Sequence, residues 1–287
     1  MKLVSYKINN HPHLGAVTEH GIVDLHQASG GELPAHALDF LYLGEWALDA
    51  ARDLVNLADT FTSPEVIKIL APIPNPSKVI GIGLNYMDHV CEIDVDVPEF
   101  PTMFCKYPSS LIGHGEIISW SRNLTENVDY EAELAVVIGK TASRVTAENA
   151  YEHIAGYTIC NDISARDLQF RTGDQWLRGK CLDSFCPMGP YLVTSDEIPD
   201  PHSLQIQCRL NDELVQDSST AELIHKIPQL IEYLSEAFTL LPGDVIITGT
   251  PGGVGAFRDP PLWLKSGDTT SVEITGLGCL TNTCQTD

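Results

Sequence analysis

Residues 129–138 run Asp129-Tyr130-Glu131-Ala132-Glu133-Leu134-Ala135-Val136-Val137-Ile138. The unbroken apolar run after Glu133, ending in β-branched residues, predicts a strand buried on both faces. Side chains on a strand alternate with period two, so Glu131 and Glu133 point to the same face. Two carboxylates on one face of a strand entering a core repel each other. They must be exposed, be protonated, or share a cation. By itself the pair also fits an exposed acidic strand end.

Outward from this strand, the chain from Lys78 is rich in further strand signals, over 79–83, 206–210, 245–248 and 271–274. Helices are fewer, predicted over 86–91, 147–154, 164–170 and 227–237. Many short strands with few helices predict a mixed, mainly β fold of the sandwich or barrel type. Residues 1–70 differ in texture: short alternating strands, then a helix over 46–57 with Leu48, Ala51, Leu54, Val55 and Ala58 on one face. The segment Ala71-Pro72-Ile73-Pro74-Asn75-Pro76 suits neither helix nor central strand. The expected organisation is a small N-terminal α+β domain over 1–70 and a larger domain over 76–287.

The composition excludes several function classes. Of 287 residues, 39 are acidic and 17 basic, a net charge of −22 that argues against nucleic acid and anionic membrane as partners. No apolar run is long enough to cross a bilayer. Met1–Tyr6 meets Asn9, Asn10 and His11 too early for a signal-peptide core, so a cytoplasmic location is expected. The eight cysteines form no Cys-x-x-Cys pair and have no histidine at zinc-finger spacing; free, mostly buried thiols are expected.

Cys160-Asn161-Asp162-Ile163-Ser164-Ala165-Arg166 offers a third acidic residue. Asp162 can cap the helix predicted after it, or join Glu131 and Glu133 as an oxygen ligand. Three carboxylates suit a hard cation, Mg²⁺, Mn²⁺ or Ca²⁺, with water and substrate completing the shell. Zinc is disfavoured for want of histidine or cysteine ligands. Three carboxylates and one divalent cation leave about −1, so an anionic substrate would need the nearby Arg166 and Lys180. On a helix, His89 and Glu92 share a face, and a carboxylate beside an imidazole raises its basicity, as water activation requires. The acidic, proline-bearing stretch 93–100 after them is expected to act as a lid. Gly249-Thr250-Pro251-Gly252-Gly253-Val254-Gly255 lacks the Gly-Lys-Ser/Thr end of a phosphate loop, and Gly81-Ile82-Gly83 lacks the third glycine of a dinucleotide fingerprint. The first loop can instead present Thr250 and backbone amides to a substrate oxygen.

Taken in order, these elements resemble the fumarylacetoacetate hydrolase superfamily over about 78–275. The motifs are Gly83-Leu84-Asn85-Tyr86 with His89 and Glu92, Lys106 with Ser109-Ser110-Leu111, Asp129 to Leu134, and Asn161-Asp162 with Arg166-Asp167 and Gln169. Gln175-Trp176 with Gly179-Lys180 and Asp183, Pro187-Met188-Gly189-Pro190, and the glycine loop follow. His114 and Cys181 depart from the family pattern without removing a proposed catalytic group. The resemblance implies a β-roll catalytic domain paired as a homodimer, Mg²⁺ or Mn²⁺ on Glu131, Glu133 and Asp162, and substrate contacts from Arg166, Gln169, Lys180 and Thr250. It also makes His89 and Glu92 a water-activating pair.

On that basis the expected activity is hydrolytic C–C cleavage of a β-diketo acid of the acylpyruvate type. His89 activates the water, while Lys180 and the Thr250 loop stabilise negative charge. The same enolate chemistry serves decarboxylation of oxaloacetate-like acids and isomerisation or hydration of unsaturated 2-oxo diacids. Non-enzymatic alternatives are a metal-stabilised binding protein and a structural calcium site.

Overall fold

The computed structural model describes residues 1–171, 173 and 175–287, and its architecture is mixed and mainly β, with 35% strand and 25% helix. The strand anticipated from 133 spans Ala132–Ile138 and is buried at every position. Its neighbours are Ile154–Asn161 on one side and Val245–Ile247 on the other, both antiparallel. From Val245–Ile247 the sheet continues through Val79–Gly83, paired in parallel, to Thr102–Lys106. In the other direction it runs through Cys186–Thr194 to Lys2–Ile8, His11–Thr18 and Gly21–Asp24. A second sheet holds Glu213–Ser219, Gln205–Leu210, Thr269–Ile274, Gly278–Thr286 and Ile117–Trp120 in that order.

Period-two alternation in Ala132–Ile138 decides which layer each residue meets. Leu134, Val136 and Ile138 face the second sheet and share its core with Ile206, Val272 and Ile274. Ala135 and Val137 face the other way, onto Phe40, Ala47 and Ala51 of the N-terminal helices. Helix Glu45–Leu57 buries Ala47 and Ala51 and half-buries Leu48, Leu54 and Val55 there. The proline segment 71–76 therefore separates two textures, while one sheet and one apolar cluster cross it.

Helix Ile227–Ala237 follows its sequence pattern, with Ile227, Leu230, Ile231 and Leu234 buried at helical spacing and Pro228 in its first turn. Two predicted helices come out differently. Residues Ala147–His153 form a 3₁₀ turn burying only Ala150, too little apolar surface to hold a full α-helix. Residues Ser164–Ala165 are extended, paired with Val128–Asp129, and the helix begins at Arg166. The eight cysteines are unpaired thiols, four of them buried. No described helix is long and apolar enough to cross a membrane.

Candidate active site

The register of two strands assembles the carboxylates. Ala132 pairs with Asn161 and Glu133 with Cys160, so the next rung outward sets Glu131 opposite Asp162. The Asp162 N–H donates to the Glu131 carbonyl at 2.8 Å, continuing the ladder past the last paired residues. Cross-strand partners share a face. Carboxylate oxygens of Glu131, Glu133 and Asp162 accordingly lie within 4.8 Å of one another, all buried. Asp162 is not the cap considered for the following helix, because that helix starts four residues later with Ala165 before it.

Three cations surround this cluster. The Lys180 ammonium donates to Glu131 Oε2 and Asp162 Oδ2, each at 2.6 Å. Lys106 Nζ donates to Asp162 Oδ1, and to the Ile163 carbonyl at 3.2 Å. Arg166 Nη2 lies 2.7 Å from Glu131 Oε1 and 2.8 Å from Asp129 Oδ2. Arg166 and Lys180, anticipated as receptors for a substrate carboxylate, are thus engaged with the carboxylates of the protein itself. Burial pushes the Glu131 carboxyl up, but Lys180 and Arg166 outweigh it and hold the group down at about 2. Glu133 has no ion pair of its own: burial, then Asp162 and Glu131, raise it well above the carboxylate range, and the more distant charge of Lys180 with a backbone bond from Gly249 N–H at 2.7 Å does not offset them. A cation bridging the three groups would relieve that penalty. The donor set is all hard oxygen, and three side chains leave places for water and substrate in a six-coordinate shell. The residues present therefore fit a divalent metal ion.

His89, 5% exposed, sits on helix Met87–Glu92 with Nδ1 3.2 Å from Glu92 Oε2. Burial raises the Glu92 carboxyl, and the hydrogen bonds from His89 and Gly253 N–H bring it below its ordinary value. The helix is fixed to the glycine loop twice: Gly253 N–H donates to Glu92 Oε1 at 2.9 Å, and Gly252 N–H to Asp88 Oδ1 at 3.3 Å. One cavity of about 360 Å³ is lined by His89, Glu131, Glu133, Arg166, Gln169, Lys180 and Thr250, seven of the nine site residues expected from the sequence. The other two support it, Glu92 behind His89 and Asp162 beneath Lys180. From the stretch expected to form a lid, Ile93 and Val95 line the same cavity, and Phe100 stacks on Tyr233 at 6.4 Å.

Residues 78–285 match the family described as Fumarylacetoacetate (FAA) hydrolase C-terminal. The chain belongs to the fumarylacetoacetate hydrolase family. The mitochondrial oxaloacetate tautomerase fahd2 of Xenopus laevis is 45% identical over 287 residues, covering 98% of this chain and 89% of its own length. Oxaloacetate tautomerase YisK of Bacillus subtilis (strain 168) is 46% identical over 258 residues, covering 89% and 83%. Among solved structures, maleylpyruvate hydrolase from Sphingobium sp. SYK-6, in complex with manganese(II) and pyruvate, superimposes with a TM-score of 0.81. It is 27% identical, with 100% of this chain and 99% of that one covered.

Within this family site, the sequence reading assigned no role to three buried residues that hold it together. Lys106 neutralises Asp162 from below. Asp129 accepts from Arg166 Nε at 2.9 Å and from the Gly255 and Ala256 amides, tying the arginine to the glycine loop. Gln216 accepts from the Ala132 N–H, between the two glutamates, and donates to Thr250 Oγ1 at 2.8 Å and to the Pro251 carbonyl. Lys106 and Asp129 stood in the recognised motifs; only Gln216 had no local signal. Gly81 and Gly83 also find their reason here. A Cβ on either would lie 2.2 Å from a ring atom, of Phe104 and Trp176 respectively, so both positions must stay bare to seat those rings.

Proposed function

We propose that this protein is a divalent-metal-dependent enzyme that moves a proton between carbon and oxygen in 2-oxo acids, a keto–enol tautomerase of the oxaloacetate type. The observation carrying this reading is that His89, backed by Glu92, lines the same cavity as Glu131, Glu133 and Lys180, with Asp162 beneath the lysine. The tautomerase names of two relatives above 40% identity support it. Glu131, Glu133 and Asp162 would hold the ion, which supplies a Lewis acid that acidifies the C3 protons of a 2-oxo acid.

The chain's own groups divide the remaining work. His89 takes the C3 proton, with Glu92 orienting the imidazole through its contact with Nδ1. Two of the three Lys180 ammonium protons are spent on Glu131 and Asp162, which leaves the third for the oxygen that becomes the enol. Gln169 accepts from Arg166 Nη1 through its carbonyl, at 3.1 Å, so its amide hydrogens stay free for the substrate carboxylate. Thr250 accepts from Gln216, which frees its hydroxyl proton to donate into the cavity.

The hydrolase reading uses the same parts: the His89–Glu92 pair would deprotonate a water instead of carbon. The fold shared with a maleylpyruvate hydrolase favours keeping it as the second reading. The two separate on products. With Mg²⁺ or Mn²⁺, a tautomerase collapses the enol absorbance of oxaloacetate without releasing pyruvate, whereas a hydrolase releases pyruvate from acylpyruvates. His89→Ala should cut tautomerisation at least 100-fold while leaving metal affinity within threefold. Full activity in that variant would sink both readings.

A further inference from the structure

The helix that carries His89 is not aimed by the strand before it. The chain leaves strand Val79–Gly83 through Leu84, whose φ of 54° is left-handed, and Asp94, just past the helix, has φ 53°. A leucine holds that conformation only where the contacts around it impose it. The direction of helix Met87–Glu92, and with it the place of the imidazole, is therefore set by what the helix is tied to.

Two ties run from Asp88 and Glu92 to the glycine loop. A third reaches the other sheet. Ser218 Oγ donates to Asp88 Oδ2 at 2.5 Å, the length of a charge-assisted O–H···O bond. Asp88 Oδ1 accepts from the His89 backbone N–H at 2.7 Å, so the carboxylate that Ser218 grips also grips the main chain of His89. With Gly252 N–H, Asp88 receives three directed bonds. Ser218 stands two residues past Gln216 on strand Glu213–Ser219, so the two side chains point to one face. That face reaches the Thr250 hydroxyl through Gln216, and His89 through Ser218 and Asp88.

Resting on the reading of His89 as the base that acts on a 2-oxo acid, we propose that Ser218 and Asp88 are positioning residues for this reaction. The Ser218–Asp88 bond holds the helix where the imidazole meets the substrate carbon. Neither residue lines the cavity, so both act through His89 and not on the substrate. A displacement of about 1 Å at a reacting group can cost about 100-fold in rate. Glu131 and Asp162, set by the register of the central sheet, do not depend on this bond.

The test follows enol-to-keto conversion of oxaloacetate by the Mg²⁺-loaded enzyme. Two readouts accompany it: oxalate affinity by calorimetry, and the rate at which diethyl pyrocarbonate modifies His89, read by mass spectrometry. Ser218→Ala should lower kcat about 5- to 20-fold and speed modification of His89 about threefold, with oxalate affinity held within about twofold. Ser218→Thr, which keeps the hydroxyl, should stay within about threefold of the unsubstituted kcat. Asp88→Ala should lower kcat at least as far, and adding Ser218→Ala to it should change kcat by less than about twofold. An unchanged kcat and modification rate in Ser218→Ala overturn the inference. So does a loss that is the same with and without Asp88, or one that oxalate affinity follows in parallel. If His89→Ala keeps full activity, or oxalate fails to bind with Mg²⁺ present, the 2-oxo acid reading itself fails. If His89→Ala is inactive while Ser218→Ala is unaffected, only the positioning role falls.

Discussion

Lys106 offers the sharpest test of how the site is held. Its side chain and that of Asp162 are both fully buried, and its ammonium is shared between Asp162 Oδ1 and the Ile163 carbonyl. Burial alone would lower the lysine pKa, yet the Asp162 charge outweighs it and keeps the group above its ordinary value. Lys106→Met keeps the apolar stem and removes the charge, leaving Asp162 with Lys180 alone. Breaking a buried pair from one side costs about 3–5 kcal/mol. With an unfolding entropy of about 0.6 kcal/mol per kelvin for a chain of this length, Tm should fall by about 5–8 °C in calorimetry with EDTA present. Asp162→Asn alone should destabilise comparably. The double variant should recover most of the loss, because neither partner is left charged in the core. A single-variant loss under about 1 kcal/mol, or a double variant that loses the sum of the two, would refute the pairing as the source of stability.

Three further outcomes follow from the same geometry. Mg²⁺ at about 100 times its Kd should stabilise the protein by about 2.7 kcal/mol, visible as a Tm rise of about 4–5 °C that EDTA reverses. Glu133→Gln should lose that rise while its metal-free Tm stays at or above that of the unsubstituted protein, since an amide carries no buried charge; an undiminished Mg²⁺ response would exclude Glu133 as a ligand. Gln216→Leu strips partners from the Ala132 amide, the Thr250 hydroxyl and the Pro251 carbonyl. It should lower kcat/KM about 10- to 100-fold, with a circular dichroism spectrum that is unchanged, and an unaffected rate would deny it a positioning role.

Much of the architecture was legible because it depends on local periodicity. The apolar run after Glu133 specified a strand buried on both faces, and Ile227, Leu230, Ile231 and Leu234 specified a helix with one buried stripe. Where the local pattern was weak, context prevailed. Residues Ser164–Ala165 are drawn into a strand by Val128–Asp129, which delays the helix to Arg166 and places its guanidinium between Asp129 and Glu131. The texture break at 71–76 is real in sequence, yet Lys2–Ile8 pairs with Cys186–Thr194 across it, because backbone groups on a strand edge bond whichever strand presents itself.

For the site, the sequence alone determined that Glu131 and Glu133 share a face, since the period of a strand is fixed by backbone geometry. It also placed His89 within reach of Glu92, three residues along one helix. Tertiary structure decided the rest. Asp162 joins the pair only through the antiparallel register of two strands, and one rung of slip would turn it to the opposite face. Lys106, Asp129 and Gln216 meet partners 56, 37 and 84 residues away, so no local pattern records those contacts. Whether a buried carboxylate is stabilised or penalised depends on such neighbours. That is why Glu131 and Glu133, two positions apart and chemically identical, end with opposite shifts.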